Sequence, residues 1–188
     1  MSGITAALSA NCRALVLEVA ALAGRAKKPL SYDLNYRSTL TDPPVAQAVL
    51  AAVAPHLELL VLAERDAQQV LGFAESGERL AQAIAARYGC AMVALTRSPD
   101  ADTGDILLAG GVIRYAPRYP VEIVDRIGAG DSFVGGLIHG LLDGDPGRAI
   151  RLAAYAAAVG LATPGDINYF GAEDLAAFAA DLTGRLVR

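Results

Sequence analysis

Tryptophan is absent, and aromatic residues make up only 6% of the 188 positions although 54% are apolar. Alanine, leucine and valine must therefore build the interior, a composition suited to closely packed helices on a sheet. Cysteine is scarce as well. Cys12 and Cys90 lie far apart, without CxxC spacing or neighbouring histidines, so neither a disulfide framework nor a zinc site is indicated. Both are expected to be buried thiols in a reducing cytoplasm. Long apolar runs are missing too: residues 14–23 are interrupted by Glu18 and followed by Gly24 and Arg25, with no basic stretch ahead, so no signal peptide or membrane span is expected. The sixteen Lys and Arg are scattered against twenty Asp and Glu, for a net charge of −4 and a pI of about 5.1. They form no basic stripe, which sets nucleic acid aside as a partner.

What is present reads as one domain-sized chain over residues 1–188, long enough to bury a core of its own. Apolar positions at helical spacing over residues 9–25 close on Gly24, Lys27, Lys28 and Pro29, as a helix C-terminus does. Residues 30–34 read as a strand that delivers Asn35, Tyr36, Arg37 and Ser38 at its C-terminal end. A helix over 43–54, a strand over 57–62, helices over 66–71 and 77–88 and a strand over 91–95 follow. That alternation predicts an α/β fold with a mostly parallel sheet. Residues 105–108 and 112–115 flank Gly110 and Gly111 and predict a β-hairpin. Residues 121–124 are expected to be a strand leading into a glycine turn, with helices after the turn, over 146–161 and over 172–186. No internal repeat, low-complexity linker or second domain is evident.

The turn is Asp125-Arg126-Ile127-Gly128-Ala129-Gly130-Asp131-Ser132-Phe133. Glycines let a backbone turn sharply and approach a ligand, while the unpaired N–H groups and positive end of the following helix face negative charge. Such donors can neutralise charge on a phosphoryl group in transit, and a carboxylate at Asp131 could take the proton of an attacking hydroxyl. On spacing alone, the blander reading is a tight turn with Asp131 as a helix N-cap. No lysine follows the glycines as a P-loop requires, and the third glycine of a dinucleotide fingerprint is lacking.

The string from Asp125 to Phe133 resembles the second consensus motif of PfkB-type carbohydrate kinases. That resemblance displaces the N-cap reading. It implies a ribokinase-like three-layer α/β/α fold, with Asp131 as catalytic base and Gly128, Ala129 and Gly130 as the anion hole for ATP. Ser2-Gly3-Ile4-Thr5-Ala6-Ala7, Asp33-Leu34-Asn35-Tyr36-Arg37 and Pro164-Gly165-Asp166-Ile167-Asn168 resemble the 2-keto-3-deoxygluconate kinase branch. The branch implies a sugar-acid substrate held by Asn35, Arg37, Asp131 and Asp166. A guanidinium suits a carboxylate or phosphate because its fork of donors is planar and fixed.

Three departures from the family pattern stand out. Its Asn-x-x-Glu motif is replaced by Ala63-Glu64-Arg65-Asp66, which leaves Glu64 and Asp66 to organise Mg2+ through water. Thr96-Arg97-Ser98 stands where a glycine-containing nucleotide loop is usual, and Thr96 and Arg97 are expected at the ATP phosphates. The resemblance also begins midway through the family fold, so the N-terminal strands and β-lid are expected to be missing. An exposed sheet edge would then be covered by a partner or a homo-oligomer. The expectation is an ATP-dependent sugar-acid kinase. Its alternatives are another PfkB kinase, of the fructokinase or ribokinase type, and a catalytically silent nucleotide-binding remnant or interaction subunit.

Overall fold

The computed structural model describes residues 1–98, 101–169, 171, 173–174 and 177–178. The helix expected over 172–186 lies largely outside them. Two compact units are present: Met1–Asp100 with Ile106–Ile113, and Ala101–Asp105 with Arg114–Arg188.

The first unit opens with a helix not foreseen from periodicity, α1 (Gly3–Leu8), whose N-cap Ser2 accepts from the Ile4 amide. Ser9 ends α1 and caps α2 (Ala10–Arg25), taking the Cys12 N–H at 3.1 Å. Then come β1 (Ser31–Asp33), α3 (Pro43–Val53) with proline in its first turn, β2 (Leu59–Ala63), α4 (Glu64–Gln69), α5 (Gly77–Tyr88), β3 (Met92–Thr96) and β4 (Ile106–Ala109), while β5 (Val112–Tyr115) starts in this unit and runs on into the second. Helix α5 stops at Gly89, whose φ of 70° supplies the left-handed cap.

The five strands form one sheet in the order β1-β2-β3-β4-β5. β1, β2 and β3 run parallel, with Ser31 opposite Leu59 and Leu59 opposite Met92, while β4 is antiparallel to β3. The α/β, mostly parallel expectation therefore holds. Gly110 and Gly111 adopt φ of 59° and 75° between β4 and β5, as the hairpin required. Residues 59–62 and 93–95 are buried without alternation, the pattern of strands covered on both faces. Leu50, Val53, Leu60, Leu80, Ile84, Val93, Leu95 and Ile106 are fully buried in the unit's core.

At the outer edge of β1 the chain partly covers itself. The Asp33 N–H donates to Met1 O at 2.9 Å, and the Met1 amino group donates to Ser31 O at 2.7 Å.

The second unit holds α6 (Ala129–Leu142) and α7 (Pro146–Leu161). Asp145 caps α7 by accepting from the Gly147 and Arg148 amides. Small residues let the helices meet closely, since a Cβ on Gly136 would lie 2.9 Å from Leu152 O. Tyr155 stacks edge-on against Tyr119 at 5.3 Å between ring centroids and packs with Leu152 and Phe178.

The strand expected over 121–124 does not form. These residues have no ladder partner among the described residues, and the Val124 and Asp125 amides donate instead to Leu161 O at the end of α7. No helix among the described residues is long and apolar enough to cross a membrane.

Candidate functional site

In the second unit the chain turns into α6 at Gly128, which has φ of 78° and ψ of −10°. The first helical hydrogen bond runs from the Ser132 N–H to Gly128 O, so the amides of Ala129, Gly130 and Asp131 precede the ladder and have no intrahelical partner. A Cβ on Gly130 would meet nothing within 4 Å, so one side of this amide cluster is open. The cluster thus has the donors and the space that a phosphate group needs.

Asp131 lies in the first turn of α6, not at its N-cap, which is Gly128. Its carboxylate is exposed and accepts no hydrogen bond among the described residues. That leaves it available to a ligand.

A second loop is fastened to this turn. Asp125 accepts from the Ile127 N–H at 3.0 Å and, with its other oxygen, from the Gly165 N–H at 3.1 Å. These amide bonds hold the Asp125 carboxyl below its ordinary value, the Ile127 bond contributing most. Asn168 Nδ2 donates to Ser132 Oγ at 3.0 Å and to Ala156 O at 2.9 Å. Between these two ties, a Cβ on Gly128 would lie 2.7 Å from Asp166 O. The structure therefore brings Asp166 against the glycine turn that carries Asp131, although the two are far apart in sequence.

Asp125, Ser132 and Asn168, which make these ties, lie within the strings quoted from the sequence but are given no role there. Asp125 had a readable signal, an aspartate two residues before an amide ahead of a glycine, which is the pattern of an Asx turn.

In the first unit, Asn35 and Arg37 follow β1 at its C-terminal end, where ligands of parallel sheets gather. Asn35 adopts φ of 35°, and its N–H donates to Asp33 Oδ1 at 3.1 Å. Arg37 is exposed, and its guanidinium has no partner among the described residues. Both line a recess shared with Gly3, Ile4, Tyr32 and Thr41. Tyr32 is almost fully buried there; burial first and the Asp33 charge second raise its hydroxyl to about 12, so it stays protonated and can donate.

Thr96, Arg97, Glu64 and Asp66 stand at the same carboxyl edge of the sheet, since Ala63 is in register with Thr96. Glu64 Oε2 accepts from Arg97 Nε at 2.7 Å, and its Oε1 accepts from the Gly77 N–H at 2.7 Å. Asp66 Oδ1 takes Arg65 Nε and Nη2 at 3.2 and 3.1 Å. Among the described residues, no three His, Cys, Asp or Glu side chains converge as a metal cage.

Residues 1–171 match the family described as pfkB family carbohydrate kinase. A 2-dehydro-3-deoxygalactonokinase from Haloferax volcanii is 35% identical over 88% of this chain and 52% of its own length. The solved 2-dehydro-3-deoxygluconokinase of Thermotoga maritima superposes with a TM-score of 0.85 at 29% identity, over 96% of this chain and 58% of that one. The aminoimidazole riboside kinase of Salmonella enterica, solved with aminoimidazole riboside and an ATP analog, shares the fold, with a TM-score of 0.80 at 22% identity over 96% of this chain and 62% of that one. The chain thus spans a little over half the length of these relatives.

Proposed function

Because the chain belongs to the pfkB family of carbohydrate kinases, we propose that it carries the phosphate-binding turn and the base of an ATP-dependent kinase for 2-keto-3-deoxygluconate. The observation that carries this reading is the open amide cluster at Gly128, Ala129 and Gly130, with an unengaged carboxylate at Asp131. In the proposed reaction Asp131 takes the proton of the sugar-acid hydroxyl as its oxygen bonds the γ-phosphorus. The bond from phosphorus to the β–γ bridging oxygen breaks, and ADP leaves. The turn's amides steady the charge that gathers on the transferred group.

Asn35 and Arg37 are assigned to the substrate's carboxylate end and Asp166 to its hydroxyls, while Thr96 and Arg97 are assigned to the nucleotide phosphates. Magnesium carried with the nucleotide supplies charge neutralisation. Of the two acidic residues singled out beside it, Asp66 keeps Oδ2 without a partner among the described residues and is the one we assign to the ion's water shell.

A second reading is favoured by the 35% identity to the Haloferax 2-dehydro-3-deoxygalactonokinase: the galactonate epimer, in place of or beside the gluconate. A coupled assay with Mg-ATP and each keto-deoxy acid, run on this chain and on its Asp131→Asn form, tests both. Turnover with one acid that falls by at least 100-fold in Asp131→Asn is expected. ATP binding without Asp131-dependent turnover on either acid would refute the kinase reading and leave a nucleotide-binding module.

A further inference from the structure

Glu64 opens α4 directly after β2, and Arg97 follows β3. Because β2 and β3 are parallel neighbours, both residues leave the sheet at one edge. Their ion pair is nearly closed to solvent, with Glu64 12% and Arg97 8% exposed. Ser76 gives α5 no side-chain cap, and the Glu64 carboxylate supplies that acceptor from thirteen residues away. A Cβ on Gly77 would lie 3.7 Å from Arg97 Nη2, so the guanidinium rests beside the start of α5.

Taking two charges out of water costs free energy that apolar side chains of similar volume would not incur, so such a pair is poor evidence for added stability. What it provides is a fixed direction for the arginine. A carboxylate whose two oxygens already accept from an amide and a guanidinium is also a weak direct ligand for a divalent cation, which the adjacent positive charge repels.

We infer that Glu64 is a positioning residue: it holds Arg97 at the carboxyl edge of the sheet for nucleotide phosphates and does not serve the metal. This rests on the kinase reading and assigns Glu64 a role within it.

The test compares wild type, Glu64→Gln, Glu64→Asp, Arg97→Lys and Glu64→Gln with Arg97→Lys combined. It reads the KM for ATP, kcat, the Mg2+ activation constant at saturating ATP, and ADP affinity without Mg2+ by calorimetry. Glu64→Gln should raise the KM for ATP and weaken ADP binding roughly tenfold, as loss of a charged hydrogen bond does, with kcat and the Mg2+ constant nearly unchanged. Glu64→Asp should recover part of the loss, and the double variant should be little worse than either single one. Should Glu64→Gln not fold, Arg97→Lys alone should weaken ADP, since lysine lacks the fork that Glu64 orients.

A shifted Mg2+ constant with an unchanged KM for ATP, or effects that simply add, would overturn the inference and return Glu64 to the metal. Wild type that binds no nucleotide would overturn the kinase reading itself, an outcome visible before any variant is made.

Discussion

Asp125 has no part in the proposed chemistry, yet it ties residues 125–128 to the loop that carries Asp166 through the Ile127 and Gly165 amides. Both bonds favour its charged form, so its folded pKa lies below the ordinary 3.8. A depressed carboxylate contributes stability that is complete above 3.8 and is lost as pH falls through the lower folded value. Replacing Asp125 by Asn removes that charge. Asp125→Asn should therefore melt below wild type at pH 6, with the gap closing below about pH 3.8. A gap that stays constant down to pH 2.5 would mean that the carboxylate's charge contributes nothing. Asp131 stands out in the sequence because a motif surrounds it. The Gly165 partner of Asp125 lies forty residues away and becomes visible only when the fold brings the two loops together.

At the scale of elements, the strands and helices of the first unit other than α1 were legible because their signals are local. Ser9 caps α2, Pro43 opens α3, Gly89 closes α5, and the apolar runs of β2 and β3 need no distant information. Helix α1 escaped because six residues hold too few turns to show a period. Residues 121–124 failed in the opposite direction. Their Val and Ile content suits a strand, but a strand exists only where another offers its ladder, and here Leu161 O takes the amides instead. The glycine turn was legible as a turn, though not in its division of labour. Gly128 needs φ of 78° and has Asp166 O 2.7 Å from where a Cβ would stand, whereas Gly130 is helical and faces open space. Gly128→Ala should cost on the order of 1–3 kcal/mol and displace the loop bearing Asp166, which a thermal melt and Asp131-dependent turnover both report. Gly130→Ala should leave stability within about 1 kcal/mol of wild type yet lower activity, because its methyl group would occupy the side open to phosphate. Equal melting points for the two variants would contradict this assignment.

At the scale of the whole molecule, the expected need for a covering partner can be restated in terms of particular side chains. In the first unit, Met1 already satisfies part of the β1 edge, so the larger exposure is apolar: Leu8, Leu15, Val19 and Leu22 are 60%, 54%, 38% and 54% exposed. Leu15, Val19 and Leu22 repeat at spacings of four and three along α2, which places them on one face of that helix. In the second unit, Val124, Ile127, Ile167 and Tyr169 are exposed beside the tied loops. Contiguous apolar faces of this kind are normally covered by another surface, and a net charge of −4 gives only modest repulsion between copies. We therefore expect the chain to self-associate, with a light-scattering mass that rises with concentration at pH 7.5 and more steeply near the pI of about 5.1. Converting Leu15 and Leu22 to Glu should return the mass at pH 7.5 toward one chain, because added negative charge strengthens repulsion as the apolar face is lost. Replacing Ile167 and Tyr169 by Ser separates the second unit's contribution, and it should lower the mass only if that surface also takes part. A mass of one chain for wild type across the whole concentration range would show that these side chains are tolerated in water. The covering-partner expectation would then have no physical basis in the exposed face of α2.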